Sequence, residues 1–287
     1  MKLRLGEPIF RSVQGEGNRT GVLSVWIRLF GCNLKCEGFF QNDPTKPETY
    51  TVPEVLNNGK IYKSAKDIPI LQTGCDSGYS WHPNFKHLAI DIDVSEALTE
   101  VRRLLYDGQW QHPVTKNDVD LCLTGGEPLM QQPKIMEIFE QMAFRSPKYL
   151  QIETNGTKPL IDGFQRFFAY RETIINWNIS PKLFNVSGEV DAVDYENIAR
   201  YQLASPHGCL KFVVNDRDET WKELDSHVRE MRKIGINFPI YVMPVGATYE
   251  QQTDTATLSK IANRAIDNGF HVSGRLQCVL FGNGIGT

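Results

Sequence analysis

Short apolar runs alternate with segments of helical periodicity along most of the chain. Runs rich in β-branched and aromatic residues predict buried strands at 22–30, 119–124, 149–154, 173–179, 210–214 and 239–243, with a last strand near 271–276. Apolar residues three or four positions apart predict helices at 93–106, 134–143, 220–233 and 253–268. This alternation indicates a mostly parallel sheet with right-handed crossovers.

Residues 37–74 interrupt this pattern. They are rich in turn-forming residues and have few periodic apolar positions, which is typical of an insertion that leaves the main fold and returns. A structureless loop of this length is unusual in a compact domain, so we expect it to contain a hairpin or a helix, or to cover a site. A length of 287 residues allows one large α/β domain or two small ones. We predict one domain, 1–287, with the insertion at 37–74.

Polar clusters follow several of the predicted strands. They are Gly125-Gly126-Glu127, Glu153-Thr154-Asn155 and Ser180-Pro181-Lys182. The carboxyl ends of parallel strands meet at one edge, where an α/β barrel or an open α/β sheet binds its ligand. The recurrence of these clusters therefore predicts one site that is made from several strand ends.

The composition narrows the class of protein. Hydrophobic residues make up 41% of the chain and charged residues 23%, as in ordinary globular proteins, and the net charge is −3. No broad basic field points to nucleic acid or to an anionic membrane. The N-terminus lacks the apolar core of a signal peptide, and no run of about 18 apolar residues occurs. We therefore expect a cytoplasmic protein without a membrane span.

The six cysteines are better explained as thiols or metal ligands than as disulfides. Three residues separate Cys32 from Cys36, and a further 38 separate Cys36 from Cys75. Thiolates grouped in this way suit zinc or an iron–sulfur cluster. Three thiolates are one too few for a cluster that needs four ligands, which leaves one iron open for a substrate or cofactor. The other cysteines, expected in the core and too scattered for a second cluster, are Cys122, Cys209 and Cys278.

Arg28 lies inside the predicted strand 22–30. A buried arginine is rare without a partner, so its side chain either binds an anionic ligand or forms a structural salt bridge. The segment 14–21 contains three glycines, which predict either a hairpin turn or a backbone that approaches a ligand closely.

A series of motifs runs from residue 7 to about residue 246. The motifs are EPIF (7–10) with QGEG (14–17), RLFGCNLKC (28–36), CDSGYSW (75–81), LTGGEPL (123–129), IETNGT (152–157), SPK (180–182) and KFVV (211–214). In this order they resemble the radical S-adenosylmethionine superfamily and, within it, the 7-carboxy-7-deazaguanine synthase family.

The resemblance implies an incomplete (β/α) TIM-like barrel of the radical S-adenosylmethionine type. It also implies that Cys32, Cys36 and Cys75 bind three irons of a [4Fe–4S] cluster whose fourth iron chelates S-adenosylmethionine. An external electron donor such as flavodoxin would reduce the cluster and so release a 5′-deoxyadenosyl radical, and no catalytic residue is implied beyond these groups. The residues that match the cofactor-binding positions are Gly125, Gly126, Glu127, Glu153, Thr154, Asn155, Ser180 and Lys182.

The family's reaction is a radical ring contraction of 6-carboxy-5,6,7,8-tetrahydropterin to 7-carboxy-7-deazaguanine, with loss of ammonia, in 7-deazapurine (queuosine-type) biosynthesis. The resemblance therefore implies a carbon–nitrogen lyase that acts on a small molecule as a homodimer. It implies that Mg²⁺ is bound by Ser77, the hydroxyl residue two positions after the third cysteine. The residues that correspond to the substrate-binding positions are Gln14, Gly15, Glu16, Arg28, Asp76 and Gln277.

Three features depart from the family pattern. The 38 residues between Cys36 and Cys75 replace a usual spacing of two. Ser77 replaces a more frequent threonine, and Gln277, which cannot carry a proton, stands where the family often has histidine. Two alternatives stay open: another radical S-adenosylmethionine enzyme, or a non-catalytic protein with a Cys₃His zinc site made from Cys32, Cys36, Cys75 and His82.

Overall fold

The structure, a computed structural model, describes residues 2–142 and 145–286. Within these residues ten strands form one sheet: β1 (Lys2–Leu5), β2 (Phe10–Val13), β3 (Leu23–Leu29), β4 (Ile90–Asp93), β5 (Asp120–Gly125), β6 (Tyr149–Thr154), β7 (Ile174–Ile179), β8 (Gly208–Val214), β9 (Ile240–Pro244) and β10 (His271–Val272). The helices of the same part of the chain are α1 (Glu54–Asn57), α2 (Val94–Leu104), α3 (Gln132–Gln141), α4 (Phe164–Ala169), α5 (Phe184–Ser187), α6 (Tyr195–Ala204), α7 (Asp218–Lys233), α8 (Tyr249–Thr253), α9 (Thr255–Asp267) and α10 (Leu276–Phe281).

The sheet runs in the order β10-β9-β8-β7-β6-β5-β3-β1-β4, with β2 paired to β3. The strands from β3 to β10 in this order are parallel, and helices provide the crossovers that parallel pairing needs. The strands β1, β2 and β4 pair antiparallel to their neighbours. Within the described residues the end strands β4 and β10 do not pair with each other, so the sheet stays open. The fold is an incomplete (β/α) barrel, which confirms the predicted fold class.

Most predicted elements are present, and their differences have local causes. The predicted strand 149–154 is β6 with the same bounds. The predicted helix 93–106 begins one residue later, because Asp93 is its N-cap and the Asp93 N–H donates to the Glu96 carboxylate at 3.4 Å. The predicted helix 253–268 begins as α9 after Asp254, whose side chain accepts the Ala256 N–H. Caps therefore set these helix starts.

The chain leaves the sheet early at its C-terminal end. The strand predicted near 271–276 is only the two residues of β10. The Leu276 N–H donates to the Gly15 carbonyl at 2.9 Å, and α10 begins at this residue. A contact with the distant segment 14–21 thus replaces the expected strand. The predicted helix 134–143 is observed as α3, and residue 143 lies outside the described residues.

The main core lies between the parallel strands and the helices that cover them. The strands β5, β6 and β7 are buried along nearly their whole length, as expected for a covered parallel sheet. Trp177 stacks on Tyr201 there, with ring centroids 4.7 Å apart. Cys122, Cys209 and Cys278 are fully buried, which confirms that they are core residues, although Cys278 belongs to α10. Residues 2–142 and 145–286 contain no helix with the length and apolar character that a bilayer span requires.

The insertion 37–74 has little regular structure apart from α1 and short 3-10 turns. Its residues Tyr62, Ala65 and Ile68 pack with Phe85 in a small apolar cluster, separate from the main core. Residues 68–72 lie on the wall of a cavity at the sheet edge. The insertion thus contains a short helix and forms part of the wall of this cavity.

Candidate active site

A cavity of about 240 Å³ lies at the carboxyl ends of the parallel strands, beside the insertion. Residues from position 10 to position 286 meet on its wall. The predicted site residues on this wall are Gln14, Gly15, Glu16, Arg28, Cys32, Cys36, Cys75, Asp76, Ser77, Gly125, Gly126, Glu153, Thr154, Asn155, Ser180, Lys182 and Gln277. Glu127, also predicted, is buried behind the wall.

Cys32, Cys36 and Cys75 form one part of the wall, which we call the thiol side. Burial raises the pKa of all three thiols, to about 12 for Cys75, and the other two thiols contribute to the rise at Cys36. Without a metal these thiols are protonated near neutral pH, so metal binding must displace their protons. Three soft ligands on one wall fit the donor set that an iron–sulfur cluster takes from a protein.

Two glycines let the end of β5 pack directly on the loop that carries Cys32. A Cβ on Gly125 would lie 1.9 Å from the Leu29 carbonyl oxygen. A Cβ on Gly126 would lie 2.2 Å from the Gly31 carbonyl oxygen and 2.7 Å from the Cys32 Cβ. Gly125 also has a φ of +140°, which favours glycine. Glycine at both positions therefore sets the distance between β5 and the thiol side.

Glu127 supports the wall from behind. Its carboxylate accepts the Asn155 N–H at 2.7 Å, the Leu129 N–H at 2.9 Å and the Thr154 hydroxyl at 2.9 Å. These bonds tie the end of β5 to the end of β6. Glu127 thus orients Thr154 and Asn155 instead of facing the cavity.

A second part of the wall, which we call the charged side, contains Glu16, Asp76, Lys211 and Arg275. Arg275 bridges the two carboxylates, because its Nε donates to Glu16 at 2.9 Å and its Nη2 donates to Asp76. Lys211 donates to the other Glu16 oxygen, and the Gln277 amide donates to Glu16 Oε1 at 2.7 Å. Burial alone would raise the pKa of both carboxyls, but Lys211 and Arg275 lower the pKa of Glu16, and Arg275 lowers that of Asp76. Both carboxylates are therefore ionised near neutral pH.

Arg28 forms the structural salt bridge that the sequence left open, and it also lies on the cavity wall. Its Nε donates to Glu7 Oε1 at 2.5 Å, and the Tyr79 hydroxyl donates to the same oxygen at 3.1 Å. Its Nη1 lies 3.5 Å from the Ser77 hydroxyl. The guanidinium is thus held in place at a position that an anionic ligand can reach.

Gln14 lies on the wall, but its amide is committed to protein partners. Its Nε2 donates to Gln151 at 2.8 Å and to Glu153 at 3.1 Å. Its Oε1 accepts the Glu16 N–H at 3.0 Å. Because both amide hydrogens are used, Gln14 positions Glu16 and Glu153 and does not offer an N–H group to a ligand.

The bonds of Gln14 continue to the amino end of β5. The Gln151 Nε2 donates to Asp120 at 2.7 Å, and Arg19 holds the same carboxylate through two bonds at 2.6 and 3.0 Å. We call Gln14, Gln151, Asp120 and Arg19 the interior chain. The Asp120 carboxylate can only accept, so Gln151 must turn its Nε2 toward Asp120 and its Oε1 toward Gln14. The interior chain therefore fixes Gln14 with its Nε2 facing Gln151.

Polar groups from the ends of β6 and β7 complete the wall. Glu153 accepts hydrogen bonds from the Asn178 amide at 3.1 Å and the Thr124 hydroxyl at 3.4 Å. Lys182 Nζ donates to the Ser180 carbonyl at 2.7 Å and to the Ser180 hydroxyl at 2.9 Å. A carboxylate, an ammonium and a hydroxyl beside the thiol side fit the polar groups of an amino-acid nucleoside such as S-adenosylmethionine.

The geometry does not support the zinc alternative. Across residues 2–142 and 145–286, no three His, Cys, Asp or Glu side chains lie close enough to hold one metal ion. His82 Nδ1 instead accepts the Asn84 N–H at 3.2 Å, and its ring centroid lies 5.6 Å from that of Trp81. Structural zinc needs four ligands around one ion, whereas the thiolates of a cluster bind separate irons.

Lys211 and Arg275 were not predicted as site residues. Lys211 is 4% exposed and lies inside the apolar strand β8, so it gives the same signal that singled out Arg28. Arg275 lies within the strand predicted near 271–276, two positions before Gln277, but the polar residues around it do not by themselves indicate a buried ion pair. Its role depends on Glu16 and Asp76, which it meets only in the folded chain.

Comparison with known proteins identifies relatives along nearly the whole chain, although no protein-family model matches it. A 7-carboxy-7-deazaguanine synthase from Pyrobaculum aerophilum is 25% identical over 281 residues, which cover 97% of this chain and 95% of that protein. A synthase of the same name from Rhodopirellula baltica is 27% identical over 293 residues, which cover 97% and 86%. The crystal structure of QueE from Escherichia coli matches the fold with a TM-score of 0.51 at 20% identity, over 95% of this chain and 93% of that one. Over nearly its whole length the chain is therefore similar to enzymes that carry the name 7-carboxy-7-deazaguanine synthase.

Proposed function

We propose that this chain is a radical S-adenosylmethionine lyase that converts 6-carboxy-5,6,7,8-tetrahydropterin to 7-carboxy-7-deazaguanine with loss of ammonia. The observation that supports this most is a single cavity that combines three thiols with a set of ionised acids and bases. The relatives of the chain carry the name of this activity. An external electron donor such as flavodoxin and a homodimer complete the proposal.

The thiol side would hold a [4Fe–4S] cluster, and the ends of β5, β6 and β7 would bind S-adenosylmethionine. When bound, these two groups supply the radical that starts the ring contraction. The protein's contribution is geometric: Gly125 and Gly126 hold β5 against the thiol-bearing loop, and Glu127 fixes the turn that contains Asn155. Lys182 would pair with the carboxylate of the cofactor, because it lines the cavity and its charge lowers the pKa of the Cys36 thiol against the larger rise from burial.

The charged side would bind the amino-substituted edge of the pterin. Glu16 is held ionised and oriented by Arg275 and Lys211, so it can accept a ligand N–H group without reorganising. Arg28 would pair with the substrate carboxylate, because its guanidinium is fixed on the wall by Glu7. The two ends of the substrate are thus recognised by opposite charges.

Ser77 and Asp76 supply part of an oxygen donor set for Mg²⁺. The Ser77 hydroxyl lies 3.4 Å from an Asp76 carboxylate oxygen. Mg²⁺ takes about six oxygen ligands, so substrate oxygens and water would complete the site. Arg28 lies 3.5 Å from the same hydroxyl and repels a bare cation. We therefore expect Mg²⁺ to bind together with the substrate carboxylate, whose negative charge offsets the positive charges of Mg²⁺ and Arg28.

The experiment that tests this function is anaerobic reconstitution with iron and sulfide, followed by EPR of the reduced protein with and without S-adenosylmethionine. About four irons per chain and a spectrum that changes with the cofactor support an open-iron cluster. The loaded protein, given Mg²⁺, a reductant and the carboxypterin, should then release the deazaguanine and ammonia. Zinc without iron would return the protein to the structural-zinc alternative. A normal cluster without product would leave another radical S-adenosylmethionine activity.

A further inference from the structure

The turn that carries Cys36 has an unusual backbone. Cys36 has a φ of +52°, in the left-handed region that residues with a side chain seldom adopt. Such a conformation persists only when the surrounding structure fixes it, and it is concentrated at functional sites. The group that fixes this turn is therefore part of how the thiol side is built.

That group is Glu189, which follows α5. Its Oε1 accepts the Lys35 N–H at 2.7 Å and the Cys36 N–H at 2.5 Å. Two successive N–H groups that point at one anion form a nest, which occurs in turns that combine right-handed and left-handed residues. The anion in this nest is a carboxylate of the same chain, 153 residues after Cys36.

A second contact joins the same two segments. The Gly38 N–H donates to the Ser187 carbonyl at 2.9 Å, and a Cβ on Gly38 would lie 2.6 Å from the Ser187 carbonyl carbon. The Ser187 hydroxyl accepts the Glu189 N–H at 3.1 Å and donates to the Leu183 carbonyl at 2.8 Å. The turn therefore rests on a segment that α5 itself holds rigid.

Glu189 does not act by contact with the cavity, since it lies outside the lining of that cavity. Its charge also does not favour a thiolate at Cys36, because like charges repel at short range. Its two bonds to the backbone remain as the physical reason for its position. Removing them would free the Cys36 turn and leave two N–H groups without their acceptor.

We propose that Glu189 is a positioning residue that presets Cys36 for cluster binding. The proposal rests on the proposed function in one respect, namely that Cys36 is a cluster ligand. Partners that orient metal ligands typically contribute about 10- to 100-fold to metal affinity. The negative charge of Glu189 also opposes the addition of an electron to a nearby cluster, so its loss should raise the reduction potential.

The test compares Glu189→Ala and Glu189→Gln with the wild type after anaerobic reconstitution. Asp194→Ala is the matched control, because Asp194 also accepts a backbone N–H, that of Asn197 at 2.9 Å, but caps α6. The measurements are iron per chain, the rate of iron loss to an excess of EDTA, and the midpoint potential from an EPR-monitored titration.

We expect Glu189→Ala to lose iron to EDTA at least about tenfold faster than the wild type and Asp194→Ala. Glu189→Gln keeps an oxygen acceptor without the charge, so it should lose iron at an intermediate rate and show a higher midpoint potential. Rates and potentials equal to the control in both variants would overturn the role of Glu189 while leaving the cofactor intact. A wild-type protein that binds no iron would overturn the proposed cofactor and this inference together.

Discussion

The thiol side and the charged side of the cavity differ in how their polar groups are satisfied. On the charged side each acid has a base: Arg275 bonds to Glu16 and Asp76, and Lys211 bonds to Glu16. On the thiol side the contacts are weak, such as that of the Leu34 N–H with Cys32 Sγ at 3.4 Å, and burial keeps the thiols protonated. The charged side is complete as protein alone, whereas the thiol side gains strong bonds only with a metal.

Because of this difference, the charged side should contribute mainly to the stability of the fold and the thiol side mainly to metal binding. Removing one member of a buried ion pair leaves the other charge without compensation, which is costly. Removing a weakly bonded thiol costs little folding energy but takes away a metal ligand. We therefore expect the free energy of unfolding to respond strongly on the charged side and weakly on the thiol side.

The largest effect on stability is expected for Arg275→Leu. Buried Glu16 would keep only Lys211 as a cationic partner, and half-buried Asp76 would lose its ion-pair partner, so the free energy of unfolding should fall by about 3–5 kcal/mol. Chemical denaturation of the metal-free protein measures this loss. Arg229→Leu, which breaks an exposed pair with Asp225, is the control and should cost far less. Equal losses for the two variants would mean that the charged side is not the buried network described here.

A smaller loss is expected for Gln151→Leu, which breaks the interior chain. Gln14 and Asp120 would each lose a hydrogen-bond partner, at about 1–3 kcal/mol of the free energy of unfolding. The Gln14 amide would keep its bonds to Glu153 and to the Glu16 N–H but would be held less firmly. Because Gln14 supports the backbone of Glu16, the KM for the pterin should rise.

The control for this variant is Asn176→Leu, because the Asn176 amide exchanges two bonds of 3.1 Å with Asn18 inside the same barrel. It should destabilise the protein to a similar degree but leave the KM unchanged. If both variants raise the KM equally, the interior chain has no special part in placing Glu16.

The fold could be predicted where the local pattern and the tertiary structure agree. β6 has the predicted bounds because its apolar run is both β-prone and buried in the middle of the sheet. The strand near 271–276 could not be predicted correctly, because after Val272 the chain bonds to residues 15–17: Ser273 Oγ accepts the Gly17 N–H, and the Leu276 N–H donates to the Gly15 carbonyl. Long-range contacts of this kind leave no periodic signal in the residues around them.

The same limit applies to the site. The cysteines and the strand ends could be listed from the sequence because each belongs to a local motif, although their individual roles stay predictions. Three side chains around the site bond to partners that lie far away in the sequence. Glu189 lies 153 residues from its partner Cys36, and the partners of Lys211 and Arg275 are 195 and 199 residues away. Gln14 was expected to bind substrate, but its amide hydrogens are used by Gln151 and Glu153, which only the structure reveals.

We expect the free energy of unfolding to depend on pH, with the charged side sensitive to acid and the thiol side sensitive to alkali. The pKa of Glu16 is lowered by Lys211 and Arg275 despite its burial, so its stabilising contribution is full above the ordinary carboxyl pKa of about 4.3 and is lost as pH falls through the lowered value. The pKa of Cys75 is raised by burial from 9.0 to about 12, so its contribution is full below pH 9 and is lost as pH rises toward 12.

Denaturation of the metal-free protein across this pH range measures both limbs. Cys75→Ala should reduce the slope of the alkaline limb, to which the buried thiols of Cys36 and Cys122 also contribute, and leave the acid limb unchanged. An alkaline limb of undiminished slope in this variant would show that the buried thiol does not account for it.

The smallest effect on stability is expected for Cys75→Ala at neutral pH. The change removes one partly exposed sulfur atom, so the free energy of unfolding should fall by less than about 1 kcal/mol. Iron uptake should nevertheless be lost as completely as in Cys32→Ala, because a cluster with one open iron needs all three thiolates.

Cys122→Ala is the matched control: it removes a fully buried sulfur from β5, so it should cost more stability while the cluster forms normally. Iron content should therefore be lower in Cys75→Ala and Cys32→Ala than in Cys122→Ala, whereas the loss of stability should be larger in Cys122→Ala. A normal cluster in Cys75→Ala would place the third ligand elsewhere, and the long spacing after Cys36 would then need another explanation.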